Sequence, residues 1–325
     1  PSYIHALAWL NLFKNDRIGG AAGVFQFIFG VSPPNWISYG HFPIIVPLSI
    51  HYFPYTYLLV SAALTNIDSR LEESGQILGA SRSYILKRIT FPLVMPALLS
   101  SFILTFSRAL GIFGTPYFLG SPVRVFTLTT QIYSNIINRV TASGYILAFV
   151  LIIISSLIIF LNQRIIGKRK SFVTIAGKGF RSSLTSLGKM KYAVLSLVAL
   201  LLIISVLMPF VLILWQTFAL YPDNYSLKQL TLLFWIGKSN TEFAEGEAGL
   251  LRNPAILRAA WNSVKLALVA AIISGFIGIF IGYAVVKGRN TKLSNSVEQI
   301  SFLPYLVPGI AFGALYLSLF THRIG

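Results

Sequence analysis

Six apolar runs long enough to cross a bilayer alternate with polar loops along the 325 residues, at 42–65, 91–114, 143–165, 192–218, 260–286 and 299–320. Each supplies the roughly 20 predominantly apolar residues that a spanning helix needs. Pro43, Pro47 and Pro54 fall inside the first run, where a membrane helix tolerates them if neighbours re-satisfy the backbone. The opening stretch, PSYIHALAWLNLF (1–13), is apolar but too short to cross and reads as the tail of a span. After the polar turn KNDRIGG, residues 23–31 are also too brief and belong at the interface. The pattern predicts an all-α polytopic membrane protein with about six complete transmembrane helices and partial ones.

One polar stretch between two apolar runs carries local structure of its own: NIDSRLEESGQILGASRSYILKRITFP, residues 66–92. Ser69 and Glu72 have the spacing of a capping box, which predicts a helix start there. Ile67, Leu71 and Leu78 then fall near one face, opposite Glu72, Glu73 and Gln76. Gly79 suits the left-handed conformation that ends a helix. Ser81 suits the N-cap of a second short helix bearing Arg82, Tyr84, Ile85, Lys87 and Arg88.

Composition agrees with the membrane reading: 55% of residues are hydrophobic and the mean hydropathy is +0.73. Lys and Arg number 26 against 9 Asp and Glu, but they collect in particular loops, as topology demands, so no nucleic-acid partner is expected. Arg164, Lys168, Arg169, Lys170, Lys178, Arg181, Lys189 and Lys191 follow one another with no acid among them, which places that linker in the cytoplasm. Residues 66–92, two spans earlier, face the same side. The loop at 219–259 balances Lys228, Lys238, Arg252 and Arg258 against Asp223, Glu242, Glu245 and Glu247, and faces outward.

Candidate chemistry is sparse. There is no cysteine to form a disulfide, bind a metal or act as a nucleophile. Every Gly-Lys pair lacks the upstream glycine of a phosphate-binding loop, so ATP hydrolysis is expected from another polypeptide. His5, His41, His51 and His322 show no metal-ligand spacing and read as isolated interfacial or buried histidines, and the acids sit in loops rather than in catalytic pairs. No catalytic residue, metal ligand or bound cofactor is expected. Arg108 lies inside an apolar run, where a charge either marks a pathway or snorkels to the head groups. Lys265 reads as a snorkelling residue and Asn262 as an interhelical hydrogen-bonding one.

Residues 66–92 resemble the cytoplasmic coupling loop of binding-protein-dependent ABC importer permeases. That family's pattern runs Glu-Ala-Ala, then Gly, Ile and Pro at fixed intervals, and Glu73, Gly79, Ile89 and Pro92 fill it. Ser74 and Gly75 replace the two alanines, and the glycine weakens the helix by roughly 1 kcal/mol. A second stretch, 106–136, is similar to ferric-iron importer permeases: Gly111, Phe113, Gly114 and Pro116 match its first part, and Leu119, Gly120, Thr130, Gln131, Ile132 and Tyr133 the rest. Polyamine, sulfate, thiamine and aminoethylphosphonate permeases are similar as well.

The resemblance implies a type I ABC importer transmembrane fold in a bacterial inner membrane. It implies two ABC ATPase subunits that use the ATP, a periplasmic substrate-binding protein and the lipid bilayer as partners. Coupling residues would be Glu72, Glu73, Gly79, Ala80, Ser81, Arg82, Ile89 and Pro92. Candidate pathway residues would be Arg108, Gly111, Phe113, Gly114 and Pro116. A non-transport membrane scaffold or an ion-coupled carrier is the alternative, and intramembrane carboxylates would favour a carrier.

The sequence at 308–325, PGIAFGALYLSLFTHRIG, also aligns with 1–19, pairing Leu12-Phe13 with Leu319-Phe320 and Arg17-Ile18-Gly19 with Arg323-Ile324-Gly325. A repeat of this kind predicts a protein of two similar halves, of which this chain holds the end of one and the start of the next. Residues 1–165 would then belong to a first transmembrane domain, 166–191 to a basic linker and 192–325 to a second domain.

The orientation is testable. A cysteine placed at Ser182 in this cysteine-free chain is expected to be shielded from an impermeant thiol reagent in intact cells, whereas one at Ser239 is expected to label. The reverse pattern would invert the topology.

Overall fold

The computed structural model describes residues 2–167, 188–221, 224–239, 246–288 and, beyond them, 291, 293–294, 296–297, 300–301, 309–313 and 316. Among these residues every regular element is helical, apart from one isolated bridge between Ala219 and Leu230. The labelled helices are α1 (Ser2–Phe13), α2 (His41–Thr65), α3 (Ser69–Ile77), α4 (Arg82–Leu110), α5 (Gly114–Gly120), α6 (Leu128–Ile137), α7 (Thr141–Gly167), α8 (Met190–Phe218) and α9 (Pro254–Lys287).

Among the described residues, five stretches are long and apolar enough to cross a membrane: Asn35–Thr65, Arg82–Leu110, Thr141–Ile158, Met190–Phe218 and Pro254–Lys287. They coincide with five of the six expected spans. The sixth run, 299–320, falls mostly outside the described residues, as do most of the basic linker and most of the second copy of the repeat. The opening apolar stretch is a 12-residue helix, and 23–31 holds a helix of only six residues.

The bounds of two spans need correcting. The run expected at 91–114 begins at Arg82 and ends at Leu110, with Leu86–Thr90 as a π turn inside a continuous helix. Proline supplies a reason. Pro92 has no N–H for the Arg88 carbonyl four residues back, and just before it the backbone shifts to an i→i+5 bond, from Phe91 N to the Leu86 carbonyl. The same arrangement recurs in α8, where the π turn Ile203–Leu207 stands just before Met208-Pro209. The span expected from 260 starts instead at Pro254, because the Asn253 carboxamide accepts the amides of Ala255 (3.0 Å) and Ile256 (3.4 Å) and Pro254 suits the first turn.

The chain divides into two compact units. One comprises Pro1–Ala6, Tyr39–Val206 and Leu306–Gly325; the other comprises Leu7–Ser38 and Leu207–Tyr305. In the first, α2 packs along α4, and α6 and α7 form a hairpin that also lies on α4. Its core gathers Ile132, Ala148, Leu151 and Ala311, with Leu110, Ile136 and Tyr145 around them. Lipid tails are as apolar as these side chains, so close packing through small residues does the holding. A Cβ added to Gly144 would come 3.0 Å from Ile136 Cγ1, and one at Gly120 would run into the Val125 carbonyl.

In the second unit, buried Asn15 organises residues 14–38. Its Nδ2 donates to the carbonyl of Pro33 (3.0 Å), Asn35 Oδ1 (2.9 Å) and Ser38 Oγ (3.3 Å), while its Oδ1 accepts from Ile18 N (3.2 Å). Trp9 Nε1 donates to the Ile37 carbonyl at 2.8 Å, and Tyr225 Oη to the Asn11 carbonyl at 3.1 Å. Replacing Asn15 by Leu keeps the approximate volume but leaves buried acceptors unpaired, a cost of about 1–3 kcal/mol. The expected outcome is a lower thermal unfolding midpoint, with proteolysis opening first between Lys14 and Ser38.

Candidate functional site

The polar loop folds as two helices around a glycine. α3 starts one residue earlier than the capping-box spacing predicts: Asp68, not Ser69, is the N-cap, its carboxylate accepting Arg70 N at 3.0 Å. Both residue types cap well, and a carboxylate gains in addition from the helix dipole. Glu72 therefore does not close a capping box. Its Oε1 accepts the hydroxyl of Thr90 at 2.6 Å, and Thr90 is only 7% exposed. This bond joins α3 to the π turn at the base of the spanning helix.

Gly75, the departure from the family's Glu-Ala-Ala, sits where a Cβ would lie 3.2 Å from Ile85 Cγ1 and 3.3 Å from Ile89 Cδ1. Ile85 is itself buried. The small residue thus lets α3 close onto the second helix of its own loop. Gly79 has φ +80° with nothing within 4 Å of an added Cβ, so its requirement is the left-handed backbone and not space. Ala80 N donates to the Gly75 carbonyl at 2.9 Å across this elbow, and Ser81 Oγ accepts Tyr84 N at 3.3 Å, capping the next helix as expected.

Glu73 and Arg82 face solvent, Ile89 lies in the π turn and Pro92 follows it. The far end of α3 is apolar and bare: Ile77 and Leu78 are each 86% exposed. Leu78, grouped by periodicity with Ile67 and Leu71, ends the helix as its C-cap.

The second set of residues forms a compact knot after α4. Arg108 is in the last turn of α4, exposed, and Gly111 caps that helix. Phe113 stacks on Tyr117 (5.1 Å between ring centres) and leans on Tyr133 (4.7 Å). Gly114 opens α5 with Tyr3 so near that an added Cβ would be 2.8 Å from Tyr3 Cβ. Pro116 is fully buried. Thr129 Oγ1 donates to the Ile112 carbonyl at 2.6 Å, pinning α6 to this turn. Phe113, Gly114, Pro116 and Tyr133 are thus brought together, while Arg108 stays at the helix end.

Two residues that the sequence left as isolated histidines are not isolated. The rings of His5 and His51 stand 5.4 Å apart, and His5 Nε2 lies 2.9 Å from the Ser205 carbonyl. Two signals pointed that way: histidines inside apolar helices, and Pro209 four residues after Ser205, which removes that carbonyl's α-helical donor.

Residues 1–172 match the family model described as binding-protein-dependent transport system inner membrane component. The chain is 29% identical, over 94% of its length and 46% of the relative's, to a Haemophilus influenzae protein provisionally named ferric transport system permease protein FbpB 1. It is 28% identical, over 94% of its length and 43% of the relative's, to ferric transport system permease protein FbpB of Actinobacillus pleuropneumoniae. Over 41% of this chain and 51% of the relative it is 31% identical to spermidine/putrescine transport system permease protein PotC of Haemophilus influenzae. The chain spans about half the length of the two ferric permeases it matches. No solved structure matches it.

The bond between the loop and the span can be tested directly. Glu72→Ala strips a buried hydroxyl of its acceptor, at a cost of about 1–3 kcal/mol. Amides of residues 69–90 are expected to exchange hydrogen faster in the variant while those of α6 and α7 are unchanged. Equal exchange in both proteins would show that the bond restrains nothing.

Proposed function

Because this chain belongs to the family of binding-protein-dependent transport system inner membrane components, we propose that it is the membrane-spanning permease part of an ATP-driven importer with ferric iron as its cargo. It is a multi-pass membrane protein. The observation that carries the proposal is the loop at 66–92, an exposed short helix tied back to the foot of a spanning helix. The long similarity to permeases named for ferric transport supports the choice of iron.

In this reading Ser69–Ile77 is the element an ATPase grips. The exposed Ile77 and Leu78 give it an apolar tip, and Glu73 and Arg82 flank that tip with charge. ATP-driven closure of two ATPase subunits would displace the helix. The Glu72–Thr90 bond and the packing of Ile85 and Ile89 on Gly75 would carry the displacement into α4. Coupling of this kind requires two states of the bundle and a contact that differs between them. A periplasmic binding protein would deliver the cargo on the opposite face of a bacterial inner membrane. ATP would be used by the partner subunits.

Residues 1–165 would form part of one transmembrane domain and 192–325 part of a second, joined by the basic linker. Gly111, Phe113, Gly114 and Pro116 would shape the turn beside the pathway, and Arg108 its outer end. The same architecture would serve a polyamine, sulfate, thiamine or aminoethylphosphonate importer.

One measurement tests the cargo and a second tests the coupling loop. Cells lacking the gene are expected to lose uptake of radiolabelled ferric ion while sulfate and spermidine uptake persist, and the opposite loss would reassign the cargo. Glu73→Lys, or Gly79→Val, which forces a β-branched residue to positive φ, is expected to leave the protein in the membrane but release or uncouple the ATPase. Normal substrate-stimulated hydrolysis in both variants would remove the loop from the coupling path.

A further inference from the structure

Three helices bring polar groups together inside the apolar bundle of the first unit. His5 comes from α1, His51 from near the middle of α2, and the Ser205 carbonyl from near the middle of α8. An ionisable side chain at such a place is costly unless it has a task.

The carbonyl is available for a physical reason. Its α-helical donor would be residue 209, which is proline, and the π turn Ile203–Leu207 marks the break. A carbonyl oxygen only accepts, so at 2.9 Å His5 Nε2 must be the donor. In the neutral ring that leaves the lone pair on Nδ1, and this atom is buried without a hydrogen-bond partner. A ring nitrogen held as N–H by a backbone carbonyl, with its other nitrogen bare, is the arrangement that orients metal-binding imidazoles.

The spacing of the two rings fits the same use. With a ring nitrogen about 2.0–2.1 Å from an ion, the ring centre stands about 3.2 Å from it, and two imidazoles at the tetrahedral angle have centres about 5.2 Å apart. The His5 and His51 rings are 5.4 Å apart, inclined at 61°. Tyr52, whose ring meets His51 edge-on at 4.9 Å, also lines a cavity of about 350 Å³ between α2 and α4, with Ser49, Thr56 and Thr105 among its walls.

We propose that His5 and His51 form a transition-metal site within the helix bundle, taking a first-row ion of the kind imidazole prefers, such as Co²⁺, Ni²⁺, Cu²⁺ or Zn²⁺. Among the described residues no group of three or more His, Cys, Asp or Glu side chains gathers that could hold an ion. The two imidazoles are therefore the protein ligands of the proposed site. Two protein ligands make a weak, exchangeable site, and a bound ion ties α1 to α2. The site stands on its own geometry and does not rest on which cargo the protein carries.

The test uses the full-length protein in lipid nanodiscs. Titrated Co²⁺ should give a saturable visible absorption band that His5→Gln and His51→Gln each weaken by at least about tenfold in Kd, and that His41→Gln leaves alone. Gln at position 5 can still donate to the Ser205 carbonyl, and thermal unfolding midpoints separate loss of a ligand from loss of the fold. On the unmutated protein, Cu²⁺ should show electron-spin resonance splitting from two imidazole nitrogens. Absence of saturable Co²⁺ binding, variants that bind as tightly as the parent, or a Cu²⁺ spectrum with fewer than two such nitrogens would each overturn the proposal. Loss of ferric uptake with metal binding intact, or the converse, would separate this site from the transport reading.

Discussion

A carbonyl that loses its helical donor inside a bilayer has no water to turn to, and both sites of interest are built where a proline creates that problem. Pro92 and Pro209 each follow a five-residue π turn. The turn moves the backbone pairing one residue further along just before the proline. It also widens the helix locally and swings one residue out of the α-helical register. At the foot of α4 the displaced segment presents Thr90 to Glu72 and Ile89 to Gly75. In α8 it presents the Ser205 carbonyl to His5. Other prolines, at 47, 54 and 96, sit in helices that keep α geometry, so proline permits the π turn and the surrounding contacts decide where it forms.

The loop owes its shape to contacts within itself. α3 is nine residues long, too short to persist alone in water. Asp68 at its start, left-handed Gly79 beyond its end, and the Ile85 and Ile89 side chains against Gly75 hold it in one position relative to α4. An alanine at 75 would raise helix propensity by roughly 1 kcal/mol but would press on two isoleucines. A helix fastened at its base and bare at its tip, where Ile77 and Leu78 face outward, has the mechanical form of a lever.

What could be read along the chain followed from signals that act locally. Spans were legible because burying 20 apolar residues leaves few alternatives, and the elbow was legible because glycine and serine act on their own neighbours. Contacts between distant segments were not legible. Ser69 with Glu72 made a plausible capping box, yet Asp68 was an equally good cap, and the choice turned on Thr90, which reaches Glu72 only after the loop has folded back. The span read as starting at 91 because the polar, charged stretch ends there, and only the folded chain shows one helix running from Arg82 through the π turn to Leu110. His5 and His51 share no spacing that a motif could capture; packing of α1 against α2 creates their pairing.

The chemistry of the proposed two-imidazole site favours an ion that is held weakly. A passage site must bind strongly enough to draw an ion out of water and weakly enough to give it up. A cluster of carboxylates would favour capture, and a chain with 9 Asp and Glu in 325 residues does not invest in that. Neutral imidazoles exchange ions more readily. The carbonyl that fixes His5 belongs to α8, so a shift of α8 relative to α1 would release the Nε2 proton from its acceptor and let the ring turn. Metal affinity at the proposed site would then follow the position of that carbonyl relative to His5.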